Sequence, residues 1–140
     1  MNSIKETPFY SDVIMELNYP FGNVFIFHGF IVSEVNTDVN YNWEDHGKFV
    51  ADDISEYLST NGEDIIFISN RVNSYSVVAT DWFKFFKNKY SLKTYFIVSN
   101  STIGIMNSLL EDLFFTGKIK RFSNIETAIN FIKTGLAEIA

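Results

Sequence analysis

Ile65-Ile66-Phe67-Ile68-Ser69-Asn70 is the stretch whose reading decides the fold. Its first four residues are apolar without alternation, and three of them are β-branched. Such a run suits a strand buried on both faces, the usual condition inside a parallel sheet. Asn61-Gly62 punctuates it on one side. On the other side, Asn70-Arg71-Val72-Asn73-Ser74-Tyr75-Ser76 is the densest cluster of hydrogen-bonding side chains in the chain. Ligands of open α/β sheets bind beyond the carboxyl ends of the strands, so a site is expected in this loop.

Downstream, Asp81–Lys89 reads as a short helix with Trp82, Phe83, Phe86 and Tyr90 toward the core and its lysines wet. Thr94–Val98 reads as a second buried strand. Ser99-Asn100-Ser101-Thr102 then caps a helix whose stripe is Ile103, Met106, Leu109, Leu110, Leu113 and Phe114, read here as core. Lys118–Phe122 is a short basic strand suited to a sheet edge. Ser123 and Glu126 have capping-box spacing for a last helix carrying Ile125, Ala128, Ile129 and Ile132 on one face.

Upstream, Val24–Phe27 and Phe30–Val35 flank His28-Gly29, a tight-hairpin signature. Asp12–Leu17 shows a weak period of two, suited to an edge strand or arm, and residues 1–9 read as a loose lead-in. A helix is expected from Asn42, with Trp43, Val50, Ile54, Tyr57 and Leu58 on its stripe, and it is expected to end through Thr60-Asn61-Gly62. His28 reads as a polar turn residue and His46 as a hydrogen-bonded boundary residue. Adjacent Asp52 and Asp53 point about 100° apart on a helix, which suits a solvated acidic face and not a metal site.

The order is hairpin, helix, strand, helix, strand, helix, strand, helix. Alternation of this kind implies an α/β fold with right-handed crossovers. The expected architecture is a mostly parallel sheet of about five strands, opened by the hairpin, with about four helices. Residues 1–23 are expected to form an N-terminal arm and edge segment, and residues 24–140 a single domain.

Composition narrows the function classes. The 140 residues contain no Cys, which excludes disulfides, thiol catalysis and Cys–zinc sites. Hydrophobic residues make up 46%, so a packed core is expected and not disorder. The net charge of −6 argues against a general nucleic-acid binder. No apolar run approaches the ~20 residues of a membrane span, and the first residues lack a basic-then-apolar signal pattern. A cytoplasmic protein is the expectation. The charge is unevenly spread: residues 1–64 hold 12 acids and 2 bases, residues 65–140 hold 5 acids and 9 bases.

The element order, the opening hairpin and the strand–loop–helix unit Ile65–Lys89 resemble the SpoIIAA-like domains, that is, the STAS and STAS/SEC14-type families, over roughly Val24 to the C-terminus. Ile68 to Ser76, followed by Thr80-Asp81-Trp82, is also similar to a group of small bacterial proteins of that class. The resemblance implies a (βα)n superhelix and a non-catalytic interaction module. Anti-sigma antagonists of the family carry a phosphorylatable Ser in an Asp-Ser-Ser-Gly-type turn. That turn is absent here, and Ser74 and Ser76 are the nearest serines. SEC14-related members imply an apolar, lipid-like ligand instead.

No Gly-rich phosphate loop, Gly-x-Ser-x-Gly elbow or His-x-x-x-His pair occurs. The leading expectation is therefore a non-catalytic regulatory or small-ligand-binding domain without cofactor or metal. Its ligand- or partner-binding residues would be Asn70, Arg71, Asn73, Ser74, Tyr75, Ser76, Asn100, Ser101 and Thr102. Arg71 is the strong anion-binding candidate. Arg71→Ala and Tyr75→Ala are expected to weaken binding with little loss of stability. The partner is an unidentified protein or a small apolar or anionic ligand, with a homodimer also in view. The alternatives are a partner-switching regulator phosphorylated on Ser74 or Ser76 and, behind it, a hydrolase without recognisable residues.

Overall fold

The computed structural model describes residues 1–135. It is a mixed α/β fold with a six-stranded central sheet and four α-helices. The strands are β1 (Met15–Tyr19), β2 (Gly22–Ile26), β3 (Phe30–Val35), β5 (Ile66–Asn70), β7 (Thr94–Val98) and β8 (Ile119–Phe122), side by side in that order. A separate two-stranded ribbon pairs β4 (Asn40–Tyr41) with β6 (Ser76–Val77) in parallel. The helices are α1 (Lys48–Leu58), α2 (Trp82–Lys87), α3 (Thr102–Ser108) and α4 (Ile125–Lys133).

β1, β2 and β3 pair antiparallel, and β3, β5, β7 and β8 pair parallel. The sheet is thus mostly parallel, as the unalternating Ile65–Ile68 run implies. The expected edge segment is β1, which gives the sheet one strand more than expected. Gly29 takes the left-handed position of the β2–β3 turn at φ 81°, with Phe27 N–H donating to the Phe30 carbonyl. His28 does not have positive φ.

Parallel strands laid down in chain order place their right-handed crossovers on one face. α1, α2 and the segment 102–113 accordingly cover the face carrying Ile31, Phe67 and Tyr95. α4 returns to the other face, where Ile125, Ala128 and Ile129 pack on Phe25, Val32, Ile68 and Phe96. That core is closed by Ile4, which is fully buried. Residues 1–9 are therefore not a loose lead-in. Ser3 Oγ and Ile4 N–H donate to the buried Glu34 carboxylate at 2.6 and 2.7 Å, so the end of the chain is tied to the sheet.

Helix termini depart from the sequence reading in three places. The helix expected from Asn42 opens as a π-helical stretch, Trp43–Gly47, with Asn42 Oδ1 accepting from Asp45 N–H at 2.9 Å, and becomes α1 only at Lys48. α1 ends at Ser59, left-handed at φ 54°, and not through Thr60-Asn61-Gly62. Gly62 serves the next turn, at φ 103°, where a Cβ would overlap the Ser91 carbonyl. α4 is capped by Asn124, whose Oδ1 accepts from Thr127 N–H at 2.8 Å, and not by Ser123. Asn and Ser are nearly equal N-caps, and only Asn124 sits at the extended position one residue before the helix.

Tyr57 and Phe83 are exposed where core positions were expected. The largest departure is the α3 stripe. Ile103, Met106, Leu109, Leu110 and Leu113 all face solvent, Leu113 at 72% exposure, and Phe114 is half-buried. The inward positions belong to Ser108 and Glu111, both 1% exposed. α3 passes at Leu109 into a 3-10 turn, Leu109–Leu113, and the outward facing begins before it, at Ile103 and Met106.

Asn124→Ala is expected to lower stability by ~1 kcal/mol, as loss of an N-cap does. Ser123→Ala should leave the urea midpoint unchanged. The two midpoints, compared with wild type at constant slope, check this assignment.

Candidate functional site

The loop after β5 divides at its first two residues, because successive strand residues point to opposite faces. Asn70 points to the α4 face, fully buried, and its Nδ2 donates to Glu34 at 2.7 Å and to the Asn2 carbonyl at 3.2 Å. Its Oδ1 has no hydrogen-bond partner among the described residues. Asn70 thus neither caps a helix nor faces the loop beyond it.

Ser69 and Arg71 turn the other way. Arg71 Nη2 donates to Glu111 Oε2 at 2.5 Å and to Tyr95 Oη at 2.9 Å, and Nε donates to Ser69 Oγ at 3.0 Å. Glu111 is buried and Arg71 is nearly so, with side chains 2% and 9% exposed. Glu111 Oε1 accepts from Tyr95 Oη at 2.8 Å and from Trp82 Nε1 at 2.9 Å. Tyr75 Oη lies 2.8 Å from Ser69 Oγ, and the Arg71 guanidinium sits 5.6 Å from the Tyr75 ring centre. Burial works against the Arg71 charge, but Tyr95, Tyr75 and Glu111 hold it protonated above its ordinary value. Burial, reinforced by the Glu111 charge, pushes the Tyr95 hydroxyl well above its usual range.

Arg71 is therefore not a free anion hook. An incoming anion would have to displace a buried carboxylate. Arg71→Ala is therefore expected to cost stability as well as any binding, because it leaves Glu111 buried without its cation. Sequence reasoning missed Glu111 because it lies 40 residues from Arg71 and sat off an apolar stripe read as core. A pair of adjacent carboxylates, Glu111 and Asp112, inside a leucine-rich segment was the available signal.

The remaining loop residues are anchored or exposed. Asn73 Nδ2 donates to the Val35 carbonyl at 3.0 Å. Ser76 Oγ donates to Asn40 Oδ1 at 2.9 Å within the β4–β6 ribbon, and Ser74 is exposed. Asn100, Ser101 and Thr102 are exposed, and Ser101 Oγ caps α3 by accepting from Gly104 N–H at 3.2 Å. The structure brings Arg71 and Tyr75 together. It does not bring the Asn100–Thr102 side chains into their network. His46 Nδ1 accepts from Asn42 N–H at 3.0 Å beneath the stacked Tyr41 ring.

Beside this network lies a cavity of about 110 Å³. Its floor is the sheet face at Ile31, Ser33, Phe67 and Tyr95, and its walls are α1 at Val50, Ala51 and Ile54, α2 at Trp82 and Phe85, and the ribbon at Tyr41 and Val77. The lining is largely apolar; Ser69, Tyr75 and Glu111 form its polar end beside the network, and Asn42, Thr60, Asn61 and Asp81 add polar groups elsewhere. Burial also pushes up the Tyr41 hydroxyl on the opposite wall. The cavity exists because α1 and α2 stand over different strands, and the short ribbon only partly spans the gap between them. No family model, curated protein or solved structure matches this chain.

Glu111→Ala should destabilise the protein by about 3–5 kcal/mol, the usual cost of leaving one member of a buried ion pair behind. Asp112→Ala, removing an exposed carboxylate paired with Arg121 at 2.8 Å, should cost less than about 1 kcal/mol. Urea unfolding of both variants checks the contrast.

Proposed function

We propose that this chain is a non-catalytic binding domain for a small, neutral and largely apolar ligand, with ligand occupancy serving a regulatory output. The observation that supports this reading is the cavity between the sheet, α1 and α2. At about 110 Å³ it is close to the roughly 150 Å³ apolar cavity that takes up benzene. Apolar pockets with a few convergent polar groups are the usual form of small-molecule sites. The resemblance to the STAS/SEC14-type domains supports the same reading, since it implies an apolar ligand and no catalysis.

The polar end of the cavity selects among ligands. Glu111 carries a negative charge there and already accepts three hydrogen bonds, from Arg71, Tyr95 and Trp82. A carboxylate offers about four acceptor positions, so a ligand hydroxyl can donate to the one remaining. A ligand carboxylate would meet like charge. The preferred occupant is therefore a ring or short chain ending in a hydroxyl or amide, and not an acid.

Isothermal titration with phenol and with hexanoate tests the reading. Phenol should bind the wild type and hexanoate should not. Ala51→Leu, which fills the cavity from α1, should weaken phenol binding at least about tenfold, or about 1.4 kcal/mol, with an undiminished urea midpoint. Failure of the wild type to bind phenol, or equal binding by Ala51→Leu, would contradict the proposal.

A further inference from the structure

The outward face of the segment 102–113 is a contiguous apolar surface unconnected with the cavity reading. Ile103, Met106 and Leu110 follow one another at helical spacing, with Leu109 and Leu113 beside them. Ile103 is 70% exposed and Leu110 60%. Phe83 of α2 extends the surface, 61% exposed and in edge contact with Phe114 at 5.4 Å. These six residues are between 49% and 72% exposed, and a surface of this kind on a monomer marks an interaction site. No charged residue occurs from Thr102 to Leu110. Of the acids that follow, Glu111 is turned inward and Asp112 is turned aside to Arg121.

The charge around this surface indicates what covers it. Residues 79–122 hold seven Lys or Arg and three acids, whereas residues 1–64 hold 12 acids and 2 bases. Because the sheet follows the chain order from β1 to β8, most of residues 1–64 lie toward the other end of the sheet from this segment, although Glu44 reaches Lys84 of α2 at 2.7 Å and Asp52 accepts from Tyr90 Oη. Lys87 is exposed one helical turn from Phe83, and Lys89 is exposed just beyond it. A second copy would bring two net-positive regions together at the apolar face. An anionic lipid surface supplies both an apolar layer for the leucines and the opposite charge for the lysines, the two terms that govern interfacial membrane binding.

We propose that the 102–113 face, with Phe83, docks on the surface of an anionic lipid bilayer. The side chains enter the headgroup–acyl boundary and no part of the segment spans it: no helix among the described residues is long and apolar enough to cross a membrane.

Co-sedimentation with vesicles of phosphatidylcholine alone and of phosphatidylcholine mixed with phosphatidylglycerol tests this, with sedimentation velocity of the lipid-free protein alongside. Wild type should be a monomer and should bind the mixed vesicles at least about tenfold more strongly than the neutral ones. Binding should weaken as salt rises, because the Debye length falls from about 10 Å at 0.1 M to about 3 Å at 1 M. Leu110→Ser/Leu113→Ser should lose at least about tenfold in binding with an unchanged urea midpoint. Lys87→Glu/Lys89→Glu, which leaves the apolar face intact, should lose the preference for the mixed vesicles. Absence of binding to either vesicle, or equal binding to both, would overturn the proposal. So would a wild-type dimer dispersed by Leu110→Ser/Leu113→Ser, in favour of a second copy.

Discussion

A buried arginine leaves the chain little choice about what stands beside it. Arg71 follows β5 directly, and strand alternation sends its side chain to the face covered by the crossover helices. An unpaired charge there would cost several kcal/mol. Glu111 answers it, and in doing so sets the rotation of the whole segment from Thr102 to Leu113. With Ser108 and Glu111 inward, the leucines and isoleucines have no place but outside. Replacing such a pair with apolar residues is often neutral or stabilising, so its value here is specificity of placement: β5, β7, α2 and the 3-10 turn meet at one network through Ser69, Tyr95, Trp82 and Glu111.

The same placement shapes the cavity. Glu111, Tyr75 and Ser69 close one end, while the apolar walls come from helices that the strand order spaces apart. The ribbon of β4 and β6 closes part of the remaining gap with two residues from each side. One ion pair thus contributes both to a pocket facing inward and to an apolar face pointing outward. The opposite face of the sheet is filled by Ile4 and α4, and Glu34 and Asn70 fasten the N-terminal residues across it.

The layout of strands and helices was legible because it rests on local patterns. Ile65–Ile68 and Thr94–Val98 are unalternating apolar runs, and the Asn42 and Ser101 caps precede recognisable turns. What could not be read depends on contacts between distant residues. The helical period of Ile103, Met106 and Leu110 shows that they share a face, but not which way the face points. That was decided by Arg71, far away in the chain. The β4–β6 ribbon was equally hidden, since two-residue strands carry no period. At α4, adjacent Ser123 and Asn124 were both able caps, and one residue of register separates them. Within the candidate site, Arg71 and Tyr75 were identified, whereas Glu111, Trp82 and Tyr95 entered only through tertiary contact.

The Arg71–Glu111 pair holds the 102–113 segment in its orientation. Native-state hydrogen exchange of Arg71→Met, a variant that keeps the bulk of the side chain and removes its charge, tests this most directly. Faster exchange should be concentrated in the amides of residues 102–113, with α1, β3 and α4 keeping their wild-type protection. Unchanged exchange in 102–113, or an even loss of protection across the whole sheet, would contradict it.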